Sequence, residues 1–261
     1  MATPRNNSVR KAFSLLMRFR HADEWVTCSE LSRRAQMPEP SCNRLLQTLE
    51  EIGAVVKGAR GSYRPGLLLL SLSRNVAVND CLRAAARDVM SDMSRRLDVT
   101  VHLARLEGSM VVFIEKFSTQ DSCQIQTFPG ARFEPYSLGL GKVLLAGLPG
   151  NALDKFILDD ELVPMTPNTI TTGPQLRDEL DKVRRDGFAL DNCEFHADIA
   201  CVAVPVRDNV GRTVAAMSIT ETRQRMSRQR QLELRAALIG ASARLSEKVF
   251  PVSSPLARTA T

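Results

Sequence analysis

Residues 27–53 read TCSELSRRAQMPEPSCNRLLQTLEEIG, and this stretch decides the fold. Thr27 is an N-cap, and Glu30 stands where a capping box has it reach back to the cap. The helix so opened turns Leu31 and Ala35 inward and Arg33 and Arg34 outward. Gln36-Met37-Pro38 is a short turn. The next helix sets Leu45, Leu46, Leu49 and Ile52 on one face and stops at Gly53. Two short helices joined by so tight a turn are a helix-turn-helix.

Working outward, SVRKAFSLLMRFR at 8–20 has apolar residues mostly at helical spacing, with arginines on the outer side. On the other flank, AVVKGARGSYRPG at 54–66 is a β-hairpin turning at Gly58 to Gly61. Three helices and a hairpin make residues 1–66 a winged helix-turn-helix. Residues 67–79 read as a linker helix with Leu at 67, 68, 69, 70 and 72, too apolar to stand alone in water and suited to hold two copies together. Asp80 to Leu97 is another helix.

From Thr100 the period changes from helix to strand. TVHLARLEG, SMVVFIEKF, CQIQTF (123–128), FALDN, ACVAVPV and TVAAMSIT read as six strands. Helices are expected over 137–148, 174–185 and about 227–249, with the polar loop TPNTITTG at 166–173. Residues 80–249 are therefore an α+β domain with an antiparallel sheet, and 250–261 a disordered tail.

The chain has 261 residues and a net charge of +6, unevenly placed: residues 1–66 hold 11 Lys+Arg against 6 Asp+Glu, and residues 67–261 hold 24 against 23. A basic domain beside a neutral one suits a polyanion for the first part only. Aromatic content of 5% argues against stacking on single strands. The N-terminus lacks the apolar core of a signal peptide and no run of about 18 apolar residues exists to span a membrane, so the expected compartment is cytoplasmic. The six cysteines form no C-x-x-C pair and are expected to be reduced.

Double-stranded operator DNA is the expected partner. The second helix of the motif presents Glu39, Pro40, Ser41, Asn43 and Arg44 on its early turns, where side chains reach base edges in the major groove. Asn43 and Arg44 are the types that make two-pronged contacts to adenine and guanine. Arg33, Arg34, Lys57, Arg60 and Arg64 are placed to meet phosphates, with Arg60 also suited to the minor groove. A plain solvated face on a three-helix bundle is the rival account, opposed by the wing and the basic bias.

Ser137-Leu138-Gly139-Leu140-Gly141-Lys142 opens a helix whose first amides are suited to an anion, unless the glycines serve only close packing. A phosphate-binding loop is excluded, because Tyr136 stands where that motif needs glycine and Val143 where it needs Ser or Thr. Ser218 and Thr220, two apart on a strand, put both hydroxyls on one face and Met217 and Ile219 on the other. Asp191, Cys193, Glu194, His196, Asp198 and Cys201 cluster in sequence without distinctive metal-ligand spacing, so no metal and no cofactor is expected. His102 reads as a satisfied strand residue and His21 as one near a helix end. No G-x-S-x-G, H-E-x-x-H or dinucleotide fingerprint is present. An enzyme domain fused to the DNA binder, or an architectural binder without ligand, are the alternatives. Turnover assays separate the first and ligand-dependent melting the second.

Taken in order, SVRKAFSLL, ELSRRAQMP, SCNRLLQTLEEIG, YRPG, SLGLGKVLLAGLP, TPNTIT, LRDELDKVRRDGFALDNCEF, CVAVPV and AAMSI resemble the IclR family of bacterial transcription regulators over roughly residues 8–248. The resemblance implies a homodimer or dimer of dimers with a GAF-like effector domain. It implies a cavity in which Gly139 and Leu140 give backbone contacts and Asp191, Cys201, Ser218 and Thr220 form the lining. The chain departs from the family pattern at Gln36 (for Gly), Glu39 (for a basic residue), Pro40 (for Ser), Pro65 (for Leu) and Asp198 (for Gly). The expected effector is a small organic acid, with Phe113, Ile125 and Leu140 as apolar walls that leave an aromatic acid open. Asp191 then either accepts a hydroxyl from the ligand or holds a neighbouring donor.

Overall fold

The computed structural model describes residues 6–20, 24–74, 76–159 and 161–251; His21 and residues 252–261 of the expected tail lie outside them. The backbone divides into two units between Ala77 and Val78.

In the first unit, Asn6 opens α1 (Asn7–Leu16) by accepting the amides of Ser8 and Val9. Strand β1 (Val26–Thr27) runs directly into α2 (Cys28–Ala35), where Thr27 Oγ1 accepts the Glu30 amide at 3.3 Å. The other half of the expected capping box does not form. The Glu30 carboxylate takes Arg33 and Arg34 at 2.7–2.8 Å instead, since two guanidiniums bind a carboxylate more strongly than one neutral amide does. α2 ends with Gln36 in the left-handed region at φ 50°, the position where glycine is usual. α3 (Glu39–Glu51) accommodates Pro40 in its first turn and buries Cys42, Leu46 and Leu49. The wing is β2 (Val55–Lys57) and β3 (Ser62–Pro65), joined by a tight turn over Ala59–Gly61. β1 adds a third strand that the sequence pattern did not show, in the order β1-β3-β2. Leu15, Leu31, Leu46, Val55 and Tyr63 share the core. The expected linker helix is shorter than 67–79. α4 (Leu67–Ser73) packs Leu68 and Leu69 on this core and leaves Leu67, Leu70 and Leu72 exposed.

In the second unit, α5 (Val78–Leu97) precedes β4 (Thr100–Glu107), β5 (Met110–Phe117) and β6 (Arg132–Phe133). Then come α6 (Gly139–Ala146), α7 (Gly150–Asp159), α8 (Gly173–Asp186), β7 (Ala189–Asn192), β8 (Ile199–Arg207), β9 (Thr213–Thr222) and α9 (Arg228–Val249). The sheet order is β6-β5-β4-β9-β8-β7, with every neighbouring pair antiparallel. Strand alternation sends Met217 and Ile219 into a core with Met90, Leu234 and Leu238 of α5 and α9. Ala216 and Ala203 face the opposite way, toward Leu140 and Leu144 of α6.

Two elements differ from expectation. CQIQTF is not a strand, although its alternation is right: Cys123 and Thr127 are buried. Side chains take its carbonyls in place of a ladder. Thr100 Oγ1 donates to Cys123 O, and Lys116 Nζ donates to Ile125 O and Thr127 O. The sixth strand is β6. Helix α7 was not anticipated, although Leu153, Phe156 and Ile157 have helical spacing and join the cluster around Tyr136.

Candidate effector pocket and DNA-binding face

Antiparallel register assembles the pocket. It sets Asp191 beside Cys201, Cys201 beside Thr220, and Thr220 beside Thr100, while His102 falls beside Ser218. The first turn of α6 lies directly on this row: a Cβ built on Gly139 would meet Cys201 Sγ at 2.8 Å. Close packing therefore accounts for this glycine, and for Gly141, whose Cβ would meet Pro135 O at 2.0 Å. The Gly139 amide is directed at the Cys201 sulfur. The anion-binding turn expected at 139–141 is to that extent filled by protein.

The pocket opens to solvent, and the space among its lining atoms, open mouth included, comes to about 400 Å³. Leu140, Asp191, Cys201, Ser218 and Thr220 line it, together with the expected apolar walls Phe113 and Ile125. Its apolar side is a ladder of edge-on rings: His102 to Phe113 at 5.0 Å, then Phe113 to Phe133 and Phe133 to Phe195, each at 5.4 Å.

The polar side is formed by His102, Asp191, Ser218 and Thr220. Ser218 Oγ is buried without a hydrogen-bond partner, a state that costs about 1–3 kcal/mol unless something enters to pair with it. His102 is indeed satisfied, and it is also a wall of the cavity. Its Nε2 lies 2.8 Å from Thr127 Oγ1 and its Nδ1 3.4 Å from Thr220 Oγ1. Burial, assisted by the nearby Lys116 charge, pushes its pKa down to about 3, so the ring is neutral. Burial pushes the Asp191 carboxyl up to about 7, against the pull of the Glu194 amide, which donates to Asp191 Oδ1 at 2.7 Å. One Asp191 oxygen thus holds a neighbouring donor.

Lys142 was not singled out from sequence and proves central. Its ammonium is fully buried and donates to both Glu194 carboxylate oxygens at 2.6 and 2.9 Å, with Glu179 at 3.4 Å. Burial raises the Glu194 carboxyl while Lys142 pulls it down. The Glu194 carbonyl accepts from Thr166 and Thr169 of the TPNTIT loop. The only sequence signal was a lysine set in the apolar run Leu140 to Leu145. With Glu194 held by Lys142 and Asp191 holding the turn, the acidic and thiol residues at 191–201 are not gathered. Among the described residues no three His, Cys, Asp or Glu side chains form a metal-binding group.

On the first unit, Glu39, Pro40, Asn43 and Arg44 stand exposed along α3, with Ser41 half-buried beside them. Gln47, one turn beyond Asn43, shares that exposure and was missed. Arg33 is exposed despite its fork to Glu30. Arg34 corrects the expectation of a phosphate contact. Its side chain is 14% exposed and its donors are taken by Glu24, Glu30 and the Arg18 carbonyl, so it braces the domain from within. Lys57, Arg60 and Arg64 are exposed on the wing. Arg60 sits at the tip with φ 56°, a strained conformation for a residue with a side chain.

A winged helix-turn-helix with an exposed basic face, followed by a pocketed α+β domain, defines a ligand-controlled DNA-binding transcription regulator. The chain belongs to the IclR family. The IclR helix-turn-helix domain matches residues 8–58, and the bacterial transcriptional regulator IclR C-terminal domain matches residues 75–247. The chain is 32% identical to the HTH-type transcriptional regulator KdgR of Escherichia coli (strain K12) over 244 residues, 93% of this chain and 92% of that one. The crystal structure of Thermotoga maritima IclR superposes with a TM-score of 0.62 at 31% identity, covering 93% and 98% of the two chains. An IclR homologue from Microbacterium hydrocarbonoxydans, crystallised with 4-hydroxybenzoate, gives a TM-score of 0.59 at 25% identity over 91% and 98%. Members of this family are regulators and not enzymes. Among the described residues no helix is long and apolar enough to cross a membrane.

Proposed function

We propose that the cavity under α6 takes a small organic acid with a flat, apolar body, and that its occupancy sets the affinity of residues 1–66 for double-stranded operator DNA in the cytoplasm. The buried, unpaired Ser218 hydroxyl carries this reading: it is a donor aimed into a cavity otherwise walled by aromatic edges. No Lys or Arg lines the pocket, so a carboxylate is met by the hydroxyls of Ser218 and Thr220 and by the Leu140 turn. Asp191, with its pKa near 7, is able to accept a proton as an acid enters beside it. The 4-hydroxybenzoate of the Microbacterium homologue is an acid of this shape.

On the DNA side, Asn43 and Arg44 read bases, and Arg33, Lys57, Arg60 and Arg64 hold the backbone. The exposed Leu67, Leu70 and Leu72 of α4 favour a homodimer, alone or paired into a dimer of dimers. An effector shifts DNA affinity tenfold if it prefers one arrangement of that dimer by about 1.4 kcal/mol.

The test is a thermal-shift screen of metabolite acids, benzoate and 4-hydroxybenzoate included, against the wild type and Ser218→Ala. Acids are expected to raise the melting temperature of the wild type and to do so less in the variant. Hits confined to amines or neutral sugars, or acids bound equally by Ser218→Ala, would overturn the assignment.

A further inference from the structure

Resting on the reading that Arg64 of the wing meets the DNA backbone, we propose that Trp25 is the residue that positions it there. The register that pairs Val26 with Tyr63 brings Trp25, one residue earlier, alongside Arg64. The Arg64 guanidinium carbon lies 4.8 Å from the indole centroid. The indole also rests on Gly58, where a Cβ would come within 2.3 Å of a ring carbon, so the ring is held against both. Val56, the partner of Arg64 on β2, completes the row. Trp25 and Val56 are both exposed, at 45% and 40%.

Charge decides what covers this face. Residues 52–79 contain no Asp or Glu, while Lys57, Arg60 and Arg64 lie among them. Among the described residues Arg64 has no carboxylate within ion-pair distance. A guanidinium held over an indole face spends none of its N–H donors on the ring in conventional hydrogen bonds and leaves them to turn outward. That arrangement suits the oxygens of a phosphodiester, with the indole edge against the adjoining deoxyribose. An apolar protein surface would leave the Lys57 and Arg60 charges beside it unpaired. Trp25 therefore acts through Arg64: it takes rotamer freedom from a long side chain before DNA arrives.

Trp25 is the single tryptophan of the chain, so its emission reports on this face alone. The full-length protein is titrated with a labelled random-sequence duplex of about 30 base pairs at about 50 mM salt, where backbone contacts dominate binding. Indole emission and DNA anisotropy are read together. The emission is expected to change in step with the anisotropy. Trp25→Leu and Arg64→Gln are each expected to lower the slope of log affinity against log salt by about 1, and the double variant no further. Trp25→Phe, which keeps a ring under Arg64, is expected to restore most of the slope. Emission that stays constant while the anisotropy saturates would remove the face from the DNA contact, and this needs no variant. A Trp25→Leu slope equal to that of the wild type, with Arg64→Gln lowered, would remove the positioning role.

Discussion

The exposed face of α3 and the wing and the pocket of the second unit both depend on polar side chains, yet those side chains obey opposite rules. On α3 and the wing the charged and amide groups stand in water and mostly away from one another. Their ion pairs, such as Arg33 with Glu30, sit at the surface, where such pairs contribute little to stability. In and beneath the pocket the polar groups are buried, and most of them depend on a neighbour from another segment of the chain. Lys142 is held by Glu194, Asp191 by the Glu194 amide, and His102 by Thr127 and Thr220. An exposed group keeps its solution chemistry and serves whatever approaches. A buried one is changed by its surroundings and cannot be altered without consequence for the fold.

The sharpest way to break this contrast is at the buried ion pair. Lys142→Met leaves Glu194 buried with its principal cation gone, and a loss of about 3–5 kcal/mol is expected in denaturant unfolding. Replacing both Lys142 and Glu194 by Met should recover most of it. Arg33→Ala should leave the same unfolding curve where it stands. Equal losses at the two pairs would end the distinction.

Asp191 tests it by pH. Its pKa is raised from 3.8 to about 7 in the fold, so protonation favours the native state. The stability it contributes is complete below pH 3.8 and is lost as pH rises through 7. The full swing is up to about 4 kcal/mol at 1.36 kcal/mol per pKa unit. Asp191→Asn should therefore gain on the wild type steadily between pH 4 and pH 8. The variant difference is the quantity to follow, because His102 acts in the other direction. With its pKa depressed to about 3, it contributes stability present above pH 6.5 that is lost on acidification. An offset between Asp191→Asn and wild type that does not vary with pH would show an ordinary carboxylate.

The open face is sharpened with DNA. Arg44→Ala is expected to cost about 1–3 kcal/mol on a selected operator and to relax one base position, whereas Arg33→Ala weakens all sequences alike and flattens the salt dependence. Equal loss for Arg44→Ala on selected and random duplexes would return Arg44 to the backbone set. The smallest effect is at Gln36. Its left-handed backbone favours glycine, so Gln36→Gly should stabilise the first unit by up to about 1 kcal/mol without altering base preference. Thermal melting and operator selection check the two halves of that statement.

How much was legible follows the same division. The helix-turn-helix, its Thr27 cap and the turn at Gln36 rest on local signals, and the structure keeps them. Arg34 was misassigned because nothing in its own neighbourhood shows Glu24 and the Arg18 carbonyl closing around it. Strand alternation placed Ser218 and Thr220 on one face, which holds, and the same alternation at Cys123 to Phe128 suggested a strand. Alternation reports which side chains turn inward. It does not report whether a backbone carbonyl meets a strand or, as at Ile125 and Thr127, a lysine.

By itself the sequence determined the winged helix-turn-helix, the α+β class of the second unit, the basic bias of the first 66 residues and the hydroxyl face of β9. These rest on periodicity, capping and charge, which act over a few residues. Only the tertiary structure decided that His102 and the Phe113–Phe133–Phe195 ladder wall the pocket, that Lys142 is a buried partner of Glu194, and that Trp25 carries Arg64. Each of these depends on cross-strand register or on how a helix sits on the sheet. The residues concerned lie tens of positions apart in the chain, and burial changes what they do only once packing has brought them together.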